Sequence, residues 1–290
     1  VAPAESLLDT PRHRIARRPS LKKDPERFIL WAKQCYARQR YAAAIRNLRA
    51  YAKKYPDSPE AAEALYVMGL SQMEVKKYYP AFKTFQSIID KYPLTEHFDE
   101  LVEKQYVIAE LFYARKSYEY SEKVFSRVVL NAPFSKIADS AQYRLALSLM
   151  NLRRFAEART EFEKIPENYS FSPLLDSAVF HAALCSFKLS AMINDYDEAL
   201  LDKGIADLKI FLARYETSAF APQAAAMLEK LVDKKAERMY RVGAFYEKQK
   251  KHAAALMYYR ITVREYGRTA WAEKARQRAD RLQARINVTN

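Results

Sequence analysis

Apolar and small residues along this chain recur in a fixed order at the spacing of an α-helix. The clearest copy of this repeated pattern covers residues 41–56. There Tyr41 is followed by Ala44, by Leu48 and, fourteen residues after Tyr41, by a Tyr-Pro pair that ends the helix. Five further copies start 37 to 49 residues apart, at Tyr78, Tyr118, Phe155, Gly204 and His252. Periods of this length are typical of proteins built from stacked helical hairpins.

Each position in the copy has a physical reason. The small residue lets two helices approach closely, the large apolar residue fills the space between hairpins, and proline ends a helix because it cannot continue it. The fourth copy is predicted to end early, at Ile165 and Pro166, and the sixth has Gly267 in place of proline. The fifth copy, with Gly204 and Asp207, departs most from the pattern.

A second small residue lies twelve positions before the first in five copies. These residues mark the close-contact position on the first helix of each hairpin: Ala32, Gly69, Ala109, Ala146 and Gly243. This pairing resembles the tetratricopeptide repeat (TPR). Together with a content of only 4 Gly, the resemblance implies an all-α fold, a superhelical solenoid of about six TPR-like helical hairpins plus a C-terminal capping helix.

The pattern also predicts the bounds of the elements. Helices are expected over residues 25–39, 41–54, 60–76, 79–91, 97–114, 118–130, 136–152, 155–164, 174–189, 203–214, 222–250, 253–265 and 269–285. The stretch 222–250 is expected to be one unusually long helix or two nearly continuous ones. Residues 190–201 form an insertion, predicted to be a long loop or an extra turn. We divide the chain into an extended or disordered basic lead-in (1–23), N-terminal repeats (24–168) and C-terminal repeats (169–290).

The first helices of such an array line its inner surface, in two columns around the close-contact residues. The first column is Ile29, Tyr66, Tyr106 and Tyr143, and the second is Tyr36, Met73, Tyr113 and Met150. Because other positions supply the core, we expect these side chains to be partly exposed and to form an apolar groove for an extended peptide or a partner helix. The alternative is that the tyrosines only complete the core.

The net charge of +14 is concentrated at the two ends. Residues 1–58 hold 14 basic against 5 acidic side chains and residues 230–290 hold 16 against 6, whereas the rest is mildly acidic. This distribution favours contact with an anionic surface such as phospholipid or lipopolysaccharide head groups, with an acidic partner, or with nucleic acid. Since no base-reading module is recognisable, nucleic acid is the least expected of these partners.

The chain offers little for catalysis. The four histidines lie far apart along the chain, and neither a metal-binding His or Cys pair nor a Gly-rich phosphate loop is present. His97, Asp99 and Glu100 are interpreted as a solvated helix start. Cys35 and Cys185 are expected to be free, buried thiols. We therefore predict no catalytic, cofactor-binding or metal-binding residues, and no run of apolar residues is long enough to span a bilayer.

Residues 234–275 resemble the last repeat of the BamD-type outer-membrane assembly lipoproteins. The resemblance rests on a long helix carrying Ala236, Glu237 and Tyr240, on the Ala-Ala turn that follows, and on Arg260. The Tyr-Pro breaks at residues 55–58 and 92–93 also resemble that family's early repeats. The chain departs from the family in the insertion of its fifth repeat, and the lipidated cysteine of such lipoproteins is not among its residues.

The resemblance implies a non-catalytic scaffold subunit of the β-barrel assembly machinery, on the periplasmic face of the outer membrane and lipid-anchored if a cysteine precedes the sequence. Its N-terminal groove would meet unfolded outer-membrane protein segments. Its C-terminal repeats would bind the β-barrel core subunit, with docking residues Arg238, Tyr240, Arg241 and Arg260. Other accessory lipoproteins and a peripheral membrane contact are further expected partners.

Two other functions fit the same repeats. One is a different cell-envelope TPR adaptor, such as a cell-division coordinator or a secretion pilotin, because those families share hairpins that end in Tyr-Pro. The other is a basic, RNA-associated solenoid. The C-terminal stretch favours the assembly machinery over both.

Overall fold

The computed structural model describes residues 17–192 and 198–289. Within these residues all regular secondary structure is helical, with thirteen helices and no strand. The helices pack consecutively as antiparallel pairs, in the manner of a TPR solenoid. The prediction of an all-α fold with six hairpins and a final helix is confirmed.

The chain packs as two compact units, Val1–Ala141 and Gln142–Asn290. The helices of the first unit are α1 (Pro25–Ala37), α2 (Tyr41–Lys54), α3 (Ala61–Glu74), α4 (Tyr78–Lys91), α5 (Phe98–Ala114) and α6 (Tyr118–Asn131). Helix α7 (Ala138–Asn151) contains the division between the units. The helices of the second unit are α8 (Phe155–Asn168), α9 (Leu175–Met192), α10 (Glu198–Arg214), α11 (Ala221–Lys248), α12 (His252–Glu265) and α13 (Ala270–Thr289). The predicted division of the repeats after residue 168 stays a prediction.

Two stretches bear on predictions about irregular structure. Residues 17–23 are not helical, as predicted, whereas residues 1–16 of the lead-in lie outside the described residues. The insertion at 190–201 is largely helical: α9 continues to Met192 and α10 already begins at Glu198. The insertion therefore lengthens both helices of the fifth hairpin, and residues 193–197 lie outside the described residues.

The predicted early end of the fourth copy at Pro166 is wrong. Helix α8 runs through Pro166 to Asn168, and Tyr169 occupies the capping position with its N–H bonded to the Ile165 carbonyl at 2.8 Å. Proline removes one backbone hydrogen bond here, but Ile165 is fully buried. Packing of this residue outweighs the local preference against a helix before proline.

The repeat positions form the core of both units. Every small residue of the five regular copies is fully buried, as is every large one: Ala44 and Leu48, Ala81 and Phe85, Ser121 and Phe125, Ala158 and Phe162, Ala255 and Tyr259. On the first helices, a Cβ atom added to Gly69 would overlap the Phe85 ring, and one added to Gly243 would lie 2.8 Å from the Tyr259 ring. Glycine is needed at these two positions because a ring lies directly against the backbone.

Short turns connect the helices within a hairpin. Each described turn has three residues, of which the middle one adopts a left-handed conformation: Gln39, Lys76, Lys116, Arg153 and Lys250, with φ from 58° to 61°. The next residue donates its N–H back across the turn, as Lys77 does to the Gln72 carbonyl at 2.8 Å. This is the helix-ending geometry that usually employs glycine, and a side chain there costs about 1 kcal/mol.

Substitution of Gly69 by alanine tests the close contact with Phe85. We expect Gly69→Ala to lower the free energy of unfolding by about 1 to 2 kcal/mol, because overpacking outweighs the gain in helix propensity. Urea unfolding of Gly69→Ala, Phe85→Leu and the double variant measures this effect. Gly69→Ala should lower the free energy of unfolding by less in the Phe85→Leu background than in the wild type. An equal loss in both backgrounds would contradict the contact.

Candidate protein-interaction site

The first predicted column is more deeply buried than the sequence suggests. Ile29 is 6% exposed and Tyr66 is 8% exposed, against the expectation of partly exposed side chains. The Tyr66 ring stacks on the His97 ring with a centroid distance of 4.1 Å and an interplanar angle of 6°. Because His97 precedes the next hairpin, Tyr66 packs one repeat against the following one. Tyr106 remains half-buried and contacts Phe125 at 5.5 Å.

A polar cluster surrounds Tyr66 in the first unit. Glu63 accepts from Lys33 Nζ at 3.0 Å and pairs with His97 Nε2 at 2.7 Å, so one carboxylate joins α1, α3 and the start of α5. Glu100, on the first turn of α5, hydrogen-bonds the Tyr66 hydroxyl. We call these five residues the Glu63 cluster. The earlier interpretation of His97 as a solvated helix start is wrong, because its side chain is only 20% exposed.

Burial and hydrogen bonding shift the pKa values in this cluster. Burial of Glu63 alone would raise its pKa, but the hydrogen bonds from Lys33 and His97 outweigh it and lower the pKa below the ordinary value. Burial and the bond to Glu100 raise the pKa of Tyr66, so its hydroxyl stays protonated and donates. The cluster therefore holds an ionised carboxylate and a neutral phenol.

The second column keeps the accessibility that a binding surface needs. Tyr36, Met73 and Tyr113 are half-buried, and each lies in the last turn or two of a first helix. Tyr36 contacts Tyr41 at 5.8 Å and Tyr113 contacts Tyr118 at 5.4 Å, so each tyrosine leans on the second helix of its own hairpin. Apolar surface with phenol hydroxyls is suited to an extended peptide.

A shallow depression of about 570 Å³ adjoins the Glu63 cluster. It is lined by Pro59, Ala62, Glu63 and the loop 92–97. Leu94 in that loop is almost completely exposed. The depression therefore presents an apolar side chain beside the paired carboxylate, a feature that the two predicted columns do not include.

In the second unit, Tyr143 and Met150 lie on α7 and are half-buried. The Tyr143 ring contacts Phe162 at 5.5 Å, and its hydroxyl lies 3.2 Å from His181 Nδ1. Burial among aromatic rings lowers the pKa of His181. Like Tyr66, Tyr143 pairs with a histidine from the following hairpin, so these two first-column tyrosines pack one repeat against the next.

The predicted docking residues occupy different environments near the C-terminus. Tyr240 packs against Tyr259 at 5.5 Å and Trp271 at 5.4 Å, within the core of the last repeat. Arg241 is exposed and pairs with Glu237 at 2.7 Å, and Arg238 is half-buried. Arg260 is exposed on α12. The structure thus brings only part of this set to an open surface.

Two grooves meet at Arg260. One, of about 230 Å³, lies between α12 and α13 and includes Arg264 and Arg276. The other, of about 540 Å³, follows α12 and includes Arg264 and the half-exposed Met257. The predicted docking residues do not include Met257, Arg264 or Arg276. Met257, Arg260 and Arg264 nevertheless share one helix face by their spacing. Arginines flanking apolar surface suit a partner that presents carboxylates.

Other chemistry receives no support from the described part of the chain. No group of acidic, histidine or cysteine side chains there could hold a metal ion. Cys35 and Cys185 are free and buried, as predicted. Burial raises the pKa of both thiols, that of Cys185 to about 12. Among the described helices none has the length and apolar character to cross a bilayer.

Comparison with known proteins agrees with this architecture. Residues 30–94 match the tetratricopeptide repeat, and residues 98–287 match the YfiO family, whose description is outer membrane lipoprotein. The fold is that of a TPR protein, a class that serves as a scaffold for protein interactions. The chain belongs to the YfiO family of outer membrane lipoproteins.

Several solved structures are similar to this chain at low identity. A tetratricopeptide repeat protein from Parabacteroides merdae is 15% identical over 89% of this chain and 98% of its own, with a TM-score of 0.36. The C-terminal part of a TPR repeat-containing protein from Cytophaga hutchinsonii is 13% identical over 88% and 90%, with a TM-score of 0.37. MamA from Desulfovibrio magneticus is 17% identical over 69% and 100%, with a TM-score of 0.33. Among curated proteins, none matches significantly.

The Glu63 cluster gives a pH-dependent prediction. Because the pKa of Glu63 is lowered in the folded chain, its stabilisation is complete above the unfolded value near 4.5 and is lost as the pH falls through the folded value. We expect Glu63→Gln to lower the free energy of unfolding by about 1 to 2 kcal/mol at pH 7 and by less at pH 3. Urea unfolding at both pH values measures the difference. The exposed Glu103 on α5 is the control, since Glu103→Gln should have little effect. A pH-independent loss in Glu63→Gln would contradict the ion pairs.

Proposed function

We propose that this chain is a non-catalytic scaffold subunit of the β-barrel assembly machinery, held at the periplasmic face of the outer membrane. The observation that carries the proposal is the family match over residues 98–287. That range contains residues 234–275, whose sequence resembles the last repeat of BamD-type lipoproteins. A lipid anchor on a cysteine that precedes the sequence would hold the chain at the membrane.

In this proposal the first unit binds unfolded outer-membrane protein segments. Such segments are extended and amphipathic, and they often end in an aromatic residue. The half-buried Tyr36, Met73 and Tyr113, together with Tyr106, offer apolar contact along successive repeats. Ile29 and Tyr66 support this surface from beneath, because both are buried. Tyr143 and Met150 would make separate peptide contacts on the second unit.

The C-terminal repeats would bind the periplasmic part of the β-barrel core subunit. The surface argued for this contact is the pair of grooves that share Arg260 and Arg264. Arg238 and Arg241 on α11 would add positive charge to this surface. Tyr240 would hold α11 against α13 through its contact with Trp271. Other accessory lipoproteins are further candidates for partners of this scaffold.

Native affinity purification from the chain's own membranes, in mild detergent and followed by mass spectrometry, tests the proposal. Recovery of a large β-barrel protein with periplasmic repeat domains, resistant to moderate salt, would support it. Recovery of cell-division or secretion components would instead assign the chain to another envelope adaptor. Recovery of RNA alone, lost on raising the salt concentration, would refute the scaffold function.

The peptide surface gives a mutational prediction. We expect the double variant Tyr36→Ala and Tyr113→Ala to bind a fluorescent peptide from the C-terminal strand of an outer-membrane barrel at least about tenfold more weakly, since buried aromatic anchors dominate such interfaces. Fluorescence anisotropy measures the affinity. Leu130 is exposed elsewhere in the first unit, so Leu130→Ala should leave affinity unchanged. Equal affinity of the folded double variant and the wild type would refute the groove.

The docking surface is tested by charge reversal. We expect Arg260→Glu with Arg264→Glu to remove the core subunit from the co-purified material, because each reversal replaces attraction to carboxylates by repulsion. Arg268 and Arg281 are also exposed in the second unit. Their reversal to glutamate changes the net charge equally and should leave co-purification intact. The assignment would be contradicted if both double reversals removed the core subunit from the co-purified material, or if neither of them did.

A further inference from the structure

The two kinds of connection in this chain carry opposite charge. The five described turns inside hairpins read Arg-Gln-Arg, Val-Lys-Lys, Arg-Lys-Ser, Leu-Arg-Arg and Gln-Lys-Lys, so each holds two cations and no carboxylate. The connections between hairpins, at 55–60, 92–97, 132–137, 169–174, 215–220 and 266–269, hold two cations and four carboxylates. Positive charge is therefore concentrated on the turn side of the hairpins.

The cations in the turns occupy positions where glycine would fit better. The left-handed residue of the turn is lysine or arginine in four of the five turns, at Lys76, Lys116, Arg153 and Lys250. Only glycine adopts this conformation without steric cost. The chain thus keeps a long cationic side chain at a backbone position that disfavours it, which is typical of a functional surface.

Contacts place the three turns of the first unit side by side. Val75 and Lys77 of the α3–α4 turn line a groove together with Ala42 and Arg46 of α2, next to the α1–α2 turn. The Arg115 guanidinium of the α5–α6 turn lies 4.9 Å from the Tyr78 ring, at the end of the α3–α4 turn. We call this surface the turn edge, and its cations are Arg38, Arg40, Arg46, Arg49, Lys76, Lys77, Arg115 and Lys116.

The groove at the centre of the turn edge is suited to an anion. It has a volume of about 260 Å³ and is lined by Ala42, Ile45, Arg46, Arg49, Val75 and Lys77, without a carboxylate. Arg46 and Arg49 are neighbours on one face of α2, where like charges repel. Neither these two arginines nor Lys77 forms an ion pair within the described part of the chain. An anion in the groove would relieve this repulsion.

Aromatic rings accompany the cations on the same edge. Tyr120 is 43% exposed and stacks on Phe112 with a centroid distance of 5.2 Å, and Tyr79 contacts Tyr120 at 4.9 Å. Lys83 lies 5.1 Å from the Tyr79 ring and Lys123 lies 5.9 Å from the Tyr120 ring. Tyrosines among lysines and arginines have the composition of protein surfaces that rest at a membrane interface.

We propose that the turn edge of the first unit rests on a bilayer that contains anionic phospholipids, with a head-group phosphate in the groove of Arg46, Arg49 and Lys77. The flanking cations contact further head groups, and Tyr79, Phe112 and Tyr120 lie at the level of the interface. This inference uses only the membership in an outer membrane lipoprotein family and the surface itself. It does not depend on a role in barrel assembly.

The distribution of the charges favours a lipid surface over an acidic protein. Three of the cations line the central groove, and the others are spread over the turns of successive repeats. A plane of diffuse negative charge meets all of them at once, whereas a folded acidic partner would need carboxylates at matching intervals. The exposed aromatic rings add apolar contact that a polyanion alone would leave unused.

Vesicle flotation of residues 1–290, prepared without a lipid anchor, tests the proposal. Vesicles of phosphatidylethanolamine with a quarter phosphatidylglycerol should carry the wild-type chain upward, and vesicles of phosphatidylethanolamine alone should not. Each cation near an anionic surface contributes about fivefold to binding, so Arg46→Gln, Arg49→Gln and Lys77→Gln together should weaken it about a hundredfold. Lys53, Lys91 and Lys136 are exposed at the opposite ends of the hairpins, and their triple change to glutamine is the matched control.

A second variant separates binding from folding. Lys76→Gly with Lys116→Gly removes two cations from the turn edge and relieves two left-handed residues, so it should bind vesicles about 25-fold more weakly while becoming more stable. The proposal would be overturned if the triple variant of the turn edge and the triple control variant lost vesicle binding equally. Vesicle binding that needs no phosphatidylglycerol would also overturn it. Binding of polyglutamate that depends on the turn edge, with no binding of vesicles, would overturn it in favour of an acidic protein partner.

Discussion

The structure depends on one contact, a small residue on a first helix that faces a large side chain on its partner. Where the small residue is Gly69 or Gly243, the ring of Phe85 or Tyr259 lies so close that an added methyl group would overlap it or press against it. This contact sets the separation of the two helices and hence the length of the turn that joins them. Because it recurs in each regular hairpin, the same turn and the same core positions recur with it. Nearest-neighbour packing of this kind builds a fold without one large central core.

The recurrence of the contact explains how much of the fold could be predicted from sequence. Spacing alone located six hairpins and the final helix, because close packing tolerates few residue types. It left the stretch 222–250 as one helix or two, and the structure has the single 28-residue helix α11 there. It misjudged α8, where burial of Ile165 carries the helix past Pro166, and the insertion, where residues 190–192 and 198–201 extend two helices. In both cases the tertiary environment overrides a local signal for a break.

The candidate site was less predictable, since it depends on contacts between repeats. Position in the repeat gave Tyr66 and Tyr106 the same role, yet Tyr66 is buried beneath His97 while Tyr106 is half-buried. The partner of Tyr66 lies 31 residues away, and no spacing within one hairpin reveals it. The charged turns, in contrast, were visible in the sequence. Summing charge over long segments concealed three of them, because residues 59–229, which contain these three turns, are mildly acidic overall.

The two buried thiols allow the local opening of each unit to be measured separately. Cys35 lies in the first unit and Cys185 in the second, and burial raises the pKa of both. Thiolate is the form that reacts with alkylating agents and disulfides, so each cysteine is protected while its helices stay packed. When a unit opens locally, its thiol returns to ordinary acidity and becomes reactive. The rate at which each cysteine is alkylated therefore reports the opening of one unit without the other, with no label added to the chain.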